Sequence, residues 1–168
     1  MENKEIGYVE VVLTEKSKQK VVDFSRIIKD EDLFTAKING KIEGGNLTEK
    51  SHLTLFFGLN DKLVNKEKLL EYINSIKLES IMIEAIDMFP VKEYNCKILY
   101  LRVKDDNFLI KNISNNFKNF PYFIESQPAE FIPHITIAYV KNNFDPTELS
   151  NNFPTTLYLE RIVYKIKK

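Results

Sequence analysis

Two short stretches of the same form constrain this chain more than any other feature. They are 51-SHLTLFF-57 and 133-PHITIAY-139, and each contains the pattern His-aliphatic-Thr-aliphatic. The chain has only two histidines, His52 and His134, and both lie in this pattern, 82 positions apart. Because both stretches are rich in aliphatic and β-branched residues, they predict two β-strands with related functions.

The strand period decides which side chains of each motif act together. Residues i and i+2 of a strand point to one face, and the residue between them points to the other. His52 therefore shares a face with Thr54, and His134 shares a face with Thr136. The aliphatic residues between and after them would anchor the opposite face in a core. The pattern predicts two strands that each present an imidazole and a hydroxyl to the same side.

Size and charge limit the class of partner. The 168 residues suit a single domain with a sizeable core, and we expect one bilobal domain over 1–168. Lys+Arg and Asp+Glu number 24 each, so the formal net charge is zero. A protein that binds long nucleic acid usually has a basic surplus, because phosphate neutralisation supplies most of the affinity. The balance favours a small substrate and argues against long nucleic acid.

Cysteine, carboxylate and apolar patterns indicate a simple, metal-free protein. Cys96 is alone, and one cysteine with two histidines makes a poor zinc site. The carboxylates form no convincing magnesium cluster. No apolar run reaches about 18 residues, and the N-terminal sequence lacks the apolar segment of a signal peptide. We therefore expect no metal or other cofactor, no membrane association and a cytoplasmic location.

Hydrophobic periodicity predicts the element order β-α-β-α-β-β-α-β-β. Each histidine strand follows a helix, so the two halves resemble distant copies. This order predicts an α+β fold with two pseudo-symmetric antiparallel sheet lobes flanked by helices around a central cleft. The glycine-rich stretch 39–51 is expected to be a mobile loop leading into the first histidine strand, or else an ordinary surface connection. The final strand, 156–167, is expected beside one of the histidine strands.

Two imidazoles facing one cleft would form an acid/base pair without a metal. Histidine can give or take a proton near neutral pH, and cleavage of a phosphodiester needs both operations. One ring would remove a proton from an attacking 2′-hydroxyl or water, and the other would protonate the departing oxygen. The threonine hydroxyls could donate hydrogen bonds to the non-bridging phosphate oxygens, where charge develops in the transition state.

Two His-[LI]-Thr-[LI] motifs, half a chain apart in a small α+β protein, resemble those of the 2H phosphoesterase superfamily. That group contains the 2′-5′ RNA ligase-like (LigT-like) proteins, cyclic phosphodiesterases, and phage enzymes that degrade the cyclic oligonucleotide signals of bacterial CBASS defence. The resemblance implies that His52, Thr54, His134 and Thr136 are catalytic. It also implies a phosphodiesterase that needs no metal and cleaves beside a 2′-hydroxyl or opens a 2′,3′-cyclic phosphate.

Within the superfamily, the resemblance favours the anti-CBASS phosphodiesterases. RNA-processing members tend to be more basic, and the arginine that is common near their second motif is absent from this sequence. The last strand carries Glu160, 26 residues after His134, which resembles a late acidic residue that binds substrate in the phage enzymes. A cyclic oligonucleotide is therefore the first expected substrate, in the host cytoplasm if the protein is encoded by a phage. An RNA-end 2′,3′-cyclic phosphodiesterase or 2′-5′ RNA ligase-like enzyme is the alternative.

Aromatic residues close to the motifs are candidate contacts to nucleobases. Stacking of a base on such a ring contributes about 1–3 kcal/mol. Strands are also enriched in aromatics for packing reasons, so a core role is the competing interpretation for each of them. The candidates are Tyr8, Phe57, Phe131 and Tyr139.

Two other classes of function remain open at this stage. The cleft could sequester a nucleotide or an RNA end without cleaving it. Alternatively, both histidines could be buried core residues with no chemical role. Intact His and Thr in both motifs favour the enzyme, because a site that had lost its activity would be free to lose them.

Overall fold

The computed structural model of the protein describes residues 4–47, 51–149 and 152–167. Within these ranges the chain forms eight β-strands and three α-helices, with short 3-10 turns between some of them. The strands are β1 (Ile6–Leu13), β2 (Thr35–Ile38), β3 (Lys41–Gly44), β4 (Leu53–Asn60), β5 (Ser80–Val91), β6 (Cys96–Lys104), β7 (His134–Lys141) and β8 (Thr156–Lys167). The helices are α1 (Glu15–Ser25), α2 (Lys66–Ser75) and α3 (Leu109–Asn116).

Six strands form one antiparallel sheet in the order β1-β4-β7-β6-β5-β8, which closes because β8 also pairs with β1. The sheet consists of two three-stranded halves, β8-β1-β4 and β7-β6-β5. One junction between the halves is the single pair Leu53–Ile135, and the other is a three-residue pairing of β5 with β8. These halves, with helices packed on β4, β7 and β8, are the two antiparallel lobes that the sequence predicted.

Alternation along β1 shows how the sheet divides core from cleft. Val9, Val11 and Leu13 are almost fully buried, in the same apolar cluster as residues of α1 and α2. The intervening residues point to the opposite face, as the strand period requires. Burial of apolar side chains contributes about 25 cal/mol for each square ångström removed from water. Burial of the apolar side chains therefore favours the register in which the polar residues between them point away from the helices.

The helices begin where capping side chains satisfy their first N–H groups. The Thr14 hydroxyl accepts a hydrogen bond from the Ser17 N–H at 3.2 Å, and the Asn65 side chain accepts one from the Lys68 N–H at 3.1 Å. Helix α3 begins only at Leu109, because the two residues before it, Asn107 and Phe108, have left-handed backbone angles. No helix of the described ranges is long and apolar enough to span a membrane.

The glycine-rich stretch begins with the turn and second strand of a β-hairpin, where the sequence analysis expected only a loop. Strands β2 and β3 pair around Asn39 and Gly40, whose φ angles of 50° and 77° suit a tight hairpin turn. The Asn-Gly dipeptide between two short alternating segments was the signal for this turn. The hairpin is attached to the second histidine strand, since the Phe34 N–H donates to the Tyr139 carbonyl at 2.9 Å. Residues 48–50 of the expected loop lie outside the described ranges.

The position of β8 also differs from expectation. It lies between β1 and β5 and pairs with neither histidine strand. Its pairing with β1 extends from Leu13–Leu159 to Ile6–Lys167 and closes the sheet. Closure leaves the histidine strands β4 and β7 next to each other, which places the cleft between them.

Gly58 lies at a bulge of β4 that only glycine fits. Its φ is +109°, a region that other residues rarely adopt, and an added Cβ would collide with the Ser126 hydroxyl. The turn around Ser126 packs on this bulge, because the Gln127 side-chain amide donates to the Phe57 carbonyl at 2.7 Å. The bulge therefore fixes the approach of the segment that leads to the second motif.

We predict that Gly58→Ala lowers the free energy of unfolding by about 2 kcal/mol or more, through strain and collision together. Gly40→Ala is a matched control, since Gly40 has a positive φ but no atom within 4 Å of an added Cβ. It should cost only about 1 kcal/mol. Urea unfolding of both variants measures the difference, and equal losses would contradict the role of the contact with Ser126.

Candidate active site

The pair Leu53–Ile135 organises the two motifs around one point. Each of these residues is fully buried and directly follows a histidine in the sequence. In an antiparallel register, pairing of these two residues sets His52 opposite Thr136 and Thr54 opposite His134. All four side chains then lie on the face away from the buried pair. The structure thus brings together the four residues that the motifs predicted as a group.

His134 is enclosed by aromatic rings. Its imidazole meets the rings of Phe89 and Tyr100 edge-on, with centroid separations of 5.4 and 5.2 Å. Its Nδ1 lies 2.7 Å from the Ile132 carbonyl oxygen, and because a carbonyl only accepts, Nδ1 carries the proton of the neutral ring. Burial lowers the pKa of His134, against the effect of this hydrogen bond, and the charge of nearby His52 lowers it further. The ring therefore favours a neutral form with a lone pair on Nε2.

His52 has a charged environment instead. Its Nε2 lies 3.3 Å from a carboxylate oxygen of Glu10, and about 38% of its side chain is exposed. Glu10 is only 3% exposed, and its second carboxylate oxygen forms an ion pair with Lys165. A buried carboxylate is costly unless it is paired, so Lys165 and His52 together compensate for the burial of Glu10. The two histidines thus have different partners.

Each motif threonine lies opposite a buried residue of the neighbouring strand. Thr54 pairs with Glu10 on β1, and Thr136 pairs with Tyr100 on β6. Within the described ranges, neither threonine hydroxyl has a hydrogen-bond partner. Both hydroxyls are half-buried and can donate to a bound oxygen atom.

An arginine accompanies the second motif in space, although none is near it in the sequence. Arg102 pairs with His134 across β6 and β7, and its Nη2 donates to a carboxylate oxygen of Asp87 at 2.5 Å. The sequence around the second motif lacks an arginine, but strand pairing supplies one. Because β6 precedes β7 by some 30 residues, the sequence around His134 could not show this neighbour. The proximity of Arg102 to His134 removes one reason to exclude an RNA-processing enzyme.

A cavity of about 640 Å³ adjoins the face that carries the motif residues. It lies between β4, α3 and the segment before β7, and it is lined by Thr54 and His134 at the position of the motifs. Two of the predicted base contacts, Phe57 and Phe131, also line it. Phe57 is 37% exposed, so part of its side chain is accessible to a ligand.

The other predicted substrate contacts lie elsewhere. Tyr8 packs against Phe57 with ring centroids 6.1 Å apart, so it reaches the cavity only through that ring. Tyr139 is half-buried on β7, outside the lining of the cavity, and its backbone pairs with the β2-β3 region. Glu160 is exposed at a β8 bulge, where Val12 pairs with Arg161 and Leu13 with Leu159. A substrate-binding role for these three residues stays a prediction.

Several residues around the motifs were missed by the sequence analysis. Glu10 had a detectable signal, because a lone carboxylate in the apolar strand 7-GYVEVVL-13 must be paired if that strand is central. Tyr100, Arg102 and Asp87 had none, since their strands read as ordinary alternating segments. Their proximity to His134 depends on strand pairing, which the sequence does not encode locally.

Taken together, the side chains can move protons and bind an anion. Two imidazoles supply acid and base, and two threonine hydroxyls supply hydrogen-bond donors. Within the ranges that the structure describes, no group of three or more His, Cys, Asp and Glu side chains is arranged to hold a metal ion.

Comparison by sequence does not add to this description. A scan against protein-family models finds no match, and a search of curated proteins also finds none.

Solved structures, in contrast, match along nearly the entire chain. E. coli LigT complexed with 3′-AMP has a TM-score of 0.51 and 13% identity, covering 99% of this chain and 96% of that one. Kluyveromyces marxianus Usb1 with uridine monophosphate has a TM-score of 0.51 and 15% identity, covering 96% and 94%. A structure described as a phosphoesterase has a TM-score of 0.52 and 16% identity, covering 99% and 96%. The chain therefore has the α+β fold of LigT and Usb1, as the two motifs predicted.

Proposed function

We propose that this protein is a 2H-type phosphodiesterase that cleaves small nucleotides by general acid/base catalysis with two His-x-Thr motifs. One observation carries the proposal. The two histidines of the chain, 82 positions apart, meet beside the pair Leu53–Ile135, and the charge of His52 lowers the pKa of His134. The shared fold with LigT and Usb1 supports the same conclusion.

His134 is the better candidate for the base. Its Nδ1–H is held by the Ile132 carbonyl, which leaves Nε2 of the neutral ring ready to accept a proton. Aromatic enclosure disfavours the charged ring and so keeps the base unprotonated near neutral pH. In this assignment Nε2 removes the proton of a 2′-hydroxyl or water, and the oxygen so activated attacks phosphorus.

His52 is the better candidate for the acid. The buried Glu10 carboxylate, 3.3 Å from Nε2, can hold the orientation of the ring. His52 donates its proton to the oxygen that leaves phosphorus as the P–O bond breaks. The hydroxyls of Thr54 and Thr136 donate hydrogen bonds to the non-bridging oxygens. After the step His134 holds a proton and His52 has lost one, so exchange with water restores both.

The first substrate that we propose is a cyclic oligonucleotide of the kind used in bacterial defence signalling. The balanced charge of the chain and the small cleft support a compact substrate. An RNA-end 2′,3′-cyclic phosphodiesterase is an equally compatible alternative, because structures of LigT and Usb1 contain 3′-AMP and uridine monophosphate, and because Arg102 accompanies the second motif. A panel of cyclic di- and trinucleotides with a 2′,3′-cyclic mononucleotide, analysed by chromatography, distinguishes the two.

We predict that His52→Ala and His134→Ala each reduce turnover on this panel by at least about a hundredfold, since each removes a proton-transfer group. EDTA should leave the wild type active. Binding of the substrate by either variant should persist, as measured by calorimetry, because the threonines and aromatic contacts remain.

Two outcomes would contradict this proposal. Strong inhibition by EDTA that is reversed by a divalent metal would exclude the mechanism. Tight binding of an unchanged ligand by the wild type after long incubation would favour a sequestering module instead.

A second prediction concerns Glu10. We expect Glu10→Gln to lower kcat by about 10- to 100-fold with little effect on KM, because the amide keeps the shape of the side chain but loses its charge. Glu15→Gln on the exposed face of α1 is the control. A folded Glu10→Gln protein with wild-type kcat and an unchanged pH profile would show that Glu10 does not position His52.

The pH profile provides a third test. Because burial lowers the pKa of His134, the acid limb of kcat/KM should lie below the ordinary histidine value of about 6.5. Phe89→Ala should admit water to the ring, raise the pKa of His134 and shift the acid limb to higher pH, while the charges of His52 and Arg102 remain. NMR titration of the imidazoles gives the direct measurement. A downward shift, or none, would contradict the role of aromatic enclosure.

A further inference from the structure

The backbone conformation of Phe108 costs free energy, and burial of its side chain does not compensate for that cost. Its φ of 55° and ψ of 29° are left-handed, which is uncommon for a bulky residue. Its side chain is 64% exposed, so the ring gains little from burial. Strained residues of this kind persist where the surroundings hold them, and they occur often at functional sites.

The surroundings of Phe108 explain how the strain is held. The Asp105 carboxylate accepts hydrogen bonds from the N–H groups of Ile110 and Lys111, at 2.7 and 2.9 Å. The N–H of Phe108 itself donates to the Asp105 carbonyl at 3.3 Å. This turn fixes the start of α3 and holds the exposed ring at the wall of the 640 Å³ cavity.

The cavity combines aromatic rings with cations. Phe57, Phe108 and Phe131 contribute to its lining, together with Lys111 and Lys118. The Lys111 ammonium lies 5.7 Å from the centroid of the Phe108 ring and 3.9 Å from a carboxylate oxygen of Glu130, which also lines the cavity. Rings that offer flat faces, with a cation beside them, suit a planar base and an attached phosphate. The volume is within the range of ligand sites.

The same cavity reaches the catalytic face. Thr54 and His134 are among its lining residues, whereas His52 and Thr136 are not. A group bound against Phe108 would therefore extend from the His134 side of the cleft. The cavity therefore adjoins the site of the proposed reaction. The smaller surface pockets differ in this respect, because none of the four motif residues lines them.

We infer that this cavity binds the nucleoside on one side of the scissile phosphate, with its base on Phe108 and its next phosphate near Lys111. The inference rests on the proposed function and specifies which part of the substrate this cavity binds. Because His134 is the proposed base, this is the nucleoside that carries the attacking 2′-hydroxyl. The preferred substrate then has a planar base on that nucleoside and a further phosphate beyond it, as in a linear or cyclic oligonucleotide.

The test replaces Phe108 with glycine, which removes the ring and also relieves the left-handed backbone. We expect Phe108→Gly to lower the ratio of kcat/KM for a diribonucleotide to that for ribose 2,3-cyclic phosphate, which has no base to stack on the ring, by about tenfold or more. Phe108→Tyr should restore most of the ratio. Thermal stability of Phe108→Gly should equal or exceed that of the wild type, so a loss of activity cannot be attributed to unfolding.

Leu109→Ala is the matched control. Leu109 is the next residue and is 49% exposed, but it lines a different pocket. It should leave both rates unchanged. If Phe108→Gly also leaves the ratio unchanged while the wild type cleaves both substrates, the cavity is not a nucleoside site and the inference is wrong.

A binding experiment separates this inference from the proposed function. A 2′-deoxy dinucleotide lacks the attacking hydroxyl, so its affinity can be measured by calorimetry without cleavage. We expect Phe108→Gly to weaken its binding by about tenfold, and to affect the binding of ribose 5-phosphate, which has no base, less. If the wild type cleaves neither substrate but the affinity for the dinucleotide still falls, the cavity is a nucleoside site and the phosphodiesterase proposal fails. If the affinity does not change, the inference fails whatever the activity.

Discussion

The antiparallel pairing of Leu53 with Ile135 is the constraint on which the site depends. It is the one backbone pair that joins β4 to β7 in the described residues, and both side chains are completely buried. Because side chains alternate between the two faces of a strand, burial of Leu53 and Ile135 places the neighbouring side chains on the opposite face. A slip of one residue in either strand would turn a histidine into the core. Burial of these two apolar side chains thus determines the positions of the histidines and threonines beside them, although those polar side chains are not part of the core.

The two halves are nearly symmetric, but the surroundings of their two histidines differ. On one side a buried carboxylate, Glu10, lies beside the ring, and on the other the rings of Phe89 and Tyr100 enclose it. Burial lowers the pKa of His134, whereas the carboxylate of Glu10 gives His52 a polar partner. Two copies of one motif can therefore take different roles in proton transfer, because their neighbouring strands differ.

Two strained positions of the chain lie in segments that flank the cleft. Gly58 permits a bulge on which the turn at Ser126 packs, and Phe108 starts α3 with a left-handed residue. Phe108 lines the cavity, and Gly58 directly follows Phe57, which also lines it. Strain located there costs stability without disturbing the packing of the sheet, and it sets the shape of the region next to the motifs.

The sequence by itself determined the fold class, most of the elements and the four motif residues, because periodicity and capping are local properties of the chain. It did not reveal the β2-β3 hairpin or the position of β8, which depend on turn geometry and on closure of the sheet. Only the tertiary structure decided what surrounds each histidine. Glu10 and Arg102 reach the motifs by pairing between strands distant in sequence, and such pairing is decided by the packing of the whole core rather than by any local pattern.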